Sequence, residues 1–337
     1  MKRYSRWLPL LIVILLPQAV PYFTEPSYYF YLIDLMGIFA IGALGLGLLI
    51  GFAGQISMGH AAFTAIGAFF CGFTTIKLGW SFWLALPLSS LVAGIAGYAL
   101  GFPALRLSGQ YLAIATLGFG VAVPQILVKW ETVSGGFDGL KPAAPLLFSY
   151  KLSAEEDYFY LVLVCLVIAI WLAKNIVNSR TGRAFIAVRD SETAAQAMGI
   201  NLTHYKTLAF ALSAAYAGLA GGLYAHLVRF IGATDFHLGM SVNYLTMIVV
   251  GGLVSIPGFV AGAGFIVALP HVLNSVSRGF PAGMKAVAQN LPQVLTGVIL
   301  ILVVLYLPRG LVQIWSSLSE RLKFRRTAGE GEKSSCR

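Results

Sequence analysis

Apolar stretches of bilayer-spanning length, nearly empty of charge, follow one another along almost the whole chain. A helix advances about 1.5 Å per residue and so crosses the hydrocarbon core in roughly 20 residues. No water in that core can satisfy a bare N–H or C=O, so each stretch must close its hydrogen bonds within a helix. The runs read as Leu8–Val20, Tyr29–Gly51, Ser57–Ile76, Phe82–Pro103, Gln110–Lys129, Tyr158–Ala173, Tyr205–Arg229, Val242–Val276 and Leu291–Leu307. Of 337 residues, 58% are hydrophobic and only 11% are charged, against about 25% charged in a soluble domain. So few charges cannot clothe a water-facing surface, and so many apolar residues exceed what one soluble core buries. A cytosolic enzyme, a disordered regulator and a disulfide scaffold are excluded. The expected fold class is all-α, a polytopic membrane protein of about ten transmembrane helices.

The charges set the topology. Lys2, Arg3 and Arg6 precede Leu8–Val20, and no small-x-small cleavage site follows at Gln18-Ala19-Val20-Pro21. That segment reads as a retained first span rather than a cleaved signal peptide. Val242–Val276 is too long for one ordinary crossing and is interrupted at Gly251, Gly252, Ser255, Pro257 and Gly258. One crossing there would put the two basic ends of the chain on opposite sides. Two crossings put both ends on the side of Arg106, Lys174, Arg180, Arg183, Arg189, Lys206 and Arg309. Lys77, Lys129, Lys141, Lys151, Arg229, Arg278 and Lys285 fall on the other side. The excess of Lys and Arg marks the cytoplasmic face. The formal net charge of +10 therefore reads as basic cytoplasmic loops, not as a nucleic-acid surface. The domains follow: an N-terminal span and linker over 1–28, a membrane domain over 29–312, and a basic cytoplasmic tail over 313–337. The membrane domain carries an external loop at 131–157 and an internal loop at 175–204.

No GxxxxGK[ST], HExxH, CxxC or GxSxG occurs, so the chain has no phosphate loop of its own and no cofactor or metal motif. The histidines His60, His204, His226, His237 and His271 are scattered without ligand spacing. The glycines say more. Gly51, Gly54 and Gly59 interrupt one apolar region, and Gly251, Gly252 and Gly258 interrupt another. Each break leads into a helix of small residues, which suggests two pseudo-repeated cores with broken helices. Irregular backbone at membrane depth survives only where it is buried or lines a wet cavity. Gln55, Ser57 and Ser255 travel with the breaks, as pathway residues or as plain helix caps. Asp34 is the acid inside an expected span, a pathway candidate by default, although it lies near an end where water could reach it. Spacings such as Gly218/Gly222 and Gly97/Gly101 read as close helix packing.

The internal loop carries the most specific pattern. Asp190 or Ser191 can cap a short helix that holds Glu192, Ala194 and Ala195, and Gly199 ends it. Two readings stay open from spacing alone. The helix fits a groove on another protein, or it lies on acidic lipid headgroups.

At this segment the chain resembles the membrane subunits of bacterial ABC importers, in which an E-A-A…G loop docks on the ATPase. The Glu192-to-Gly199 spacing departs from that pattern by one residue, as in the branched-chain amino acid permeases of the LivM type. Gly54–Phe63, Pro103–Phe119, Ser134–Leu140, Gly251-Gly252 and Leu307–Leu311 are similar to further blocks of that family. Urea and short-amide permeases share much of the pattern. The resemblance implies a transport subunit without its own engine. Its partners would be a homologous LivH-type permease, two ABC ATPases, a periplasmic binding protein and the lipid bilayer. Arg180, Arg183, Arg189 and Asp190 would meet the ATPase groove or its rim beside Glu192, Ala194, Ala195 and Gly199. Glu131, Asp138 and Lys141 would face the binding protein. An ion-coupled secondary transporter resting on Asp34 is the alternative, since paired broken helices suit it as well.

Overall fold

The computed structural model describes residues 26–104, 109–147, 150–151 and 155–277, with 294–295, 297–298, 301–302, 305 and 310. The expected first span Leu8–Val20, most of Leu291–Leu307, the tail from 313, and Arg106, Arg278, Lys285 and Arg309 lie outside the described residues.

The described chain is nearly all helical. In order come α1 Pro26–Gly47 with a π-turn Leu48–Phe52, α2 His60–Lys77, α3 Phe82–Ala104, α4 Gln110–Lys129 and the short α5 Glu131–Ser134. A tiny hairpin, β1 Leu146–Leu147 with β2 Tyr150–Lys151, precedes α6 Glu155–Asn178. Then follow α7 Arg180–Asp190, α8 Glu192–Ala197, α9 Leu202–Val228, α10 Leu238–Gly251 and α11 Ile256–Ser277. Among the described residues, six helices are long and apolar enough to cross a membrane, namely α1, α3, α4, α6, α9 and α11.

Two helices form the centre. α1 and α9 are apolar all round and most of each is buried, 78% of the apolar window in α1 against 22% in α6. A helix that is apolar on every face needs neighbours on every face. Accordingly α9 packs on α1, α2 and α3, while α1 also packs on α6 and α11. Small residues set the distances, because lipid supplies no hydrophobic drive between helices and close backbone contact must replace it. A Cβ at Gly67 of α2 would collide with the Gly218 backbone of α9, and one at Gly221 with the Thr64 carbonyl. Two tyrosines pin α6 to α9 in opposite senses. Tyr158 Oη donates to Leu223 O at 2.7 Å, and Tyr216 Oη donates to Ala169 O at 2.9 Å.

The loops collect at two ends. At one end, the π-turn of α1, the α7–α8 loop and the α10–α11 turn meet, since Arg189 touches Gly51 and Gly54 and Gly51 abuts Leu253. At the other end, Leu140 pairs with Ile231 across two loops, at 3.0 and 2.9 Å. The Ser134–Leu140 block makes that pairing. Its glycines at 135, 136 and 139 all have positive φ, and Ser134 Oγ accepts from Gly136 N at 3.0 Å. An open cavity of about 890 Å³ lies at this second end, edged by Trp80, Trp83, Lys141 and His226. α10 has 14 residues, about 21 Å, and it runs from the Ile231 end to the Leu253 end.

Candidate functional site

The α7–α8 loop is built by serines. Ser179 Oγ accepts from Thr181 N and Gly182 N at 3.1 and 3.4 Å, which starts α7. Gly182 lies so close to the last carbonyls of α6 that a Cβ would collide with Val177 O. The chain therefore turns from α6 into α7 without a spacer. Ser191 then serves two helices. Its N–H closes α7 on Ala187 O, and its Oγ accepts from Ala194 N to open α8. Its extended backbone, φ −162° and ψ 112°, puts the corner between them. At the far end, Ile200 N bonds Ala195 O and Gly199 N bonds Gln196 O. That pair with Gly199 at φ 81° is a Schellman stop, which needs a residue free to turn left-handed.

The side chains of this loop divide into two faces. Gly182, Ala184, Phe185, Val188 and Ala195 are buried against the membrane helices. Arg180, Arg183, Ala194, Gln196 and Met198 are exposed, Met198 at 83%. Of the residues expected to couple to an ATPase, Ala195 is buried and Arg189 turns toward the helix break. Arg189 Nη1 donates to Gly51 O at 2.8 Å, while Nε and Nη2 donate to Asp190 Oδ1 at 3.0 and 2.9 Å. Glu192 likewise turns back. Its Oε1 lies 2.6 Å from Lys206 Nζ, on an α9 side chain only 6% exposed. Lys206 and Met198 were missed as site residues. Lys206 resembled one more positive charge of a basic loop, and Met198 one more apolar residue.

The breaks themselves are tightly satisfied. In the first, Ala53 N reaches Leu48 O, Gly54 N reaches Ile50 O and Gln55 N reaches Leu49 O. The last two are each one residue wider than in the usual helix stop, as a π-turn demands. Arg189 supplies the donor to the next carbonyl, that of Gly51. Gly54 has φ 69°, and a Cβ there would sit 2.8 Å from Arg189 Cγ. Gln55 is buried and donates to Ala53 O at 3.4 Å. Ser57 Oγ accepts from Gly59 N at 3.4 Å. The following helix starts at His60, and its entry is held by distant side chains. Met58 N donates to Thr116 Oγ1 and Ala61 N to Ser241 Oγ, at 3.0 and 2.9 Å. His60 Nε2 donates to Gly42 O at 2.9 Å, and its ring stands edge-on to Tyr244. In the second break, Gly252 has φ 115° and Ser255 Oγ accepts from Gly258 N at 3.3 Å. A Cβ at Gly51 would collide with Leu253 O, so the two breaks touch.

The four polar residues weighed for a pathway have different surroundings. Gln55, Ser57 and Ser255 bond locally to their own breaks. Asp34, fully buried in α1, borders a separate cavity of about 210 Å³ between α1, α6 and α11, otherwise walled by apolar residues and glycines such as Met36, Phe159, Leu166 and Gly264.

Residues 28–304 match the family described as branched-chain amino acid transport system / permease component. The chain is 31% identical to the high-affinity branched-chain amino acid transport system permease protein LivM of Salmonella typhimurium, and equally so to the LivM of Escherichia coli. Each alignment covers 88% of this chain and 72% of the relative. A probable branched-chain amino acid transport permease protein LivM of Methanocaldococcus jannaschii is 23% identical, over 68% of this chain and 67% of that protein. No solved structure matches.

Proposed function

We infer from one premise, that this chain belongs to the family of branched-chain amino acid transport permease components, that it is the membrane-spanning subunit of an ATP-driven importer for branched-chain or related amino acids. Power comes from two separate ABC ATPases. Substrate comes from a periplasmic binding protein, and a homologous LivH-type permease completes the membrane part. The observation that carries this reading is α8, a short helix capped at both ends. Its inner side is fixed to the membrane helices through Ala195 and Glu192, while Ala194 and Met198 stand outward with room for a partner.

In this reading the chain lies in a bacterial inner membrane with both termini in the cytoplasm. About ten crossings fit the loops gathered at two ends. α10 and α11 count separately, because α10 runs between those ends. Two pseudo-repeated cores fit the helix–break–helix units that meet at Gly51 and Leu253. The membrane domain then spans 29–312, with 175–204 as its coupling loop. Gln55, Ser57 and Ser255 serve as pathway or support residues at the breaks, and Asp34 as a pathway residue within α1.

The test is uptake of leucine by the assembled transporter. Met198→Glu and Ala194→Trp lower co-purification of the ATPases and abolish uptake, while the chain still inserts. Wild-type uptake by both variants overturns the reading. Vesicles holding this chain alone, with a proton or sodium gradient and no ATP, accumulate no leucine. Accumulation there would instead favour an ion-coupled carrier built on Asp34.

A further inference from the structure

We propose that Arg189 is a positioning residue that makes the α7–α8 loop and the broken end of α1 move as one body, so that motion delivered to the loop reaches both helix breaks. The proposal rests on the importer reading above. The geometry is specific. The π-turn displaces the backbone donors, and Gly51 O receives Arg189 Nη1 instead. A cation at the carbonyl end of a helix is favoured by the helix dipole as well as by the hydrogen bond. Asp190 fixes the guanidinium by taking its Nε and Nη2, which leaves Nη1 aimed at the break. Gly54, with φ 69°, leaves room for the Arg189 stem. Beyond Gly51 the line continues by direct contact, since its Cα faces Leu253 O in the second break. The Glu192–Lys206 pair ties the same loop to α9. The loop is therefore held to both central helices, by a guanidinium on α1 and by an ammonium from α9.

The experiment uses the whole transporter in proteoliposomes, with leucine-loaded binding protein and ATP. Arg189→Met is expected to lower leucine imported per ATP hydrolysed about tenfold, with the four-part membrane complex still assembled. Arg189→Lys, which keeps a cation and one donor, recovers at least half of that ratio. An unchanged ratio in Arg189→Met overturns the proposal, as does a lysine variant no better than methionine. A second measurement covers the case in which Arg189→Met fails to assemble. Spin labels at Met198→Cys and Ile56→Cys, with Arg189 intact, report the loop-to-break distance with and without nucleotide. It is expected to change by less than about 2 Å, within the scale of ordinary helix shifts, and a larger change overturns the proposal. Failure of the importer reading looks different, because then the wild-type complex itself neither assembles nor couples ATP to uptake.

Discussion

At the scale of single residues, Lys206 and Glu192 form an asymmetric pair. The lysine is 6% exposed and the glutamate 43%, with 2.6 Å between them. Removing one partner leaves the other to face its own surroundings, and these differ. Glu192→Gln strands an ammonium that water hardly reaches, which costs about 2–4 kcal/mol. Lys206→Met strands a carboxylate that water can still solvate and keeps an apolar stem in an apolar place, so its cost is under about 1 kcal/mol. Thermal unfolding of the purified chain in detergent checks the order. The double variant is expected beside Lys206→Met, and equal losses in the two single variants would contradict the buried ammonium. The sequence could not show this asymmetry. Positive residues at 180, 183, 189 and 206 look alike in a basic loop. What separates Arg189 from Arg180 and Arg183 is a bond to a carbonyl 138 positions away, and no local spacing encodes that. Asp34 was visible as an acid in an apolar run, but its complete burial depends on α6 and α11 closing over it.

At the scale of elements, the contact between α2 and α9 is the sharpest constraint. Gly67 faces the Gly218 backbone and Gly221 faces Thr64 O. Neither site has a flexible side chain that could yield. Gly67→Leu and Gly221→Leu must separate the helices and lose their packing, at a cost of about 3 kcal/mol or more. Gly118 of α4 meets nothing within 4 Å, so Gly118→Ala is neutral or stabilising by up to about 1 kcal/mol through helix propensity. Yield of folded chain on size exclusion distinguishes the two classes. A smaller prediction concerns the caps. Ser191→Ala removes the acceptor that opens α8 and costs about 1 kcal/mol, seen as faster hydrogen exchange at Ala194. Most element positions were legible because apolar runs and glycine clusters mark them. Val242–Val276 reads as two pieces and folds as α10 and α11. The run Tyr158–Ala173 is the core of a longer α6, since helices continue into polar flanks that a hydropathy reading trims. α7 was not resolved as a helix of its own. Its start depends on Ser179 and on Gly182 fitting under Val177 O, and only the folded chain displays that contact.

At the scale of the whole molecule, the fold sorts its loops by end, and the importer reading gives each end a face. Arg180, Arg183, Arg189 and Lys206 gather with both helix breaks, while Lys77, Lys129, Lys141 and Arg229 lie toward the Leu140–Ile231 pairing, so the charge excess that orients the chain is a property of the whole sequence. Lysine and arginine retained on one side of a bilayer mark the cytoplasm. In the proposed importer the ATPases act from there, so α8 has to lie on the same side for the coupling route through Arg189 to exist. The two ends can be told apart chemically. Cys71, Cys165 and Cys336 are first replaced by alanine, and single cysteines are then placed at Met198, 83% exposed, and at the exposed Lys141. A membrane-impermeant maleimide added to intact cells with permeable outer membranes is expected to label Lys141→Cys and to leave Met198→Cys unmodified. Opening the inner membrane then labels Met198→Cys at a similar rate. Labelling of Met198→Cys from outside would invert the molecule and place the Arg189 contact on the face where no nucleotide is available. The helix packing would stand unchanged, while the importer mechanism would lose its source of power.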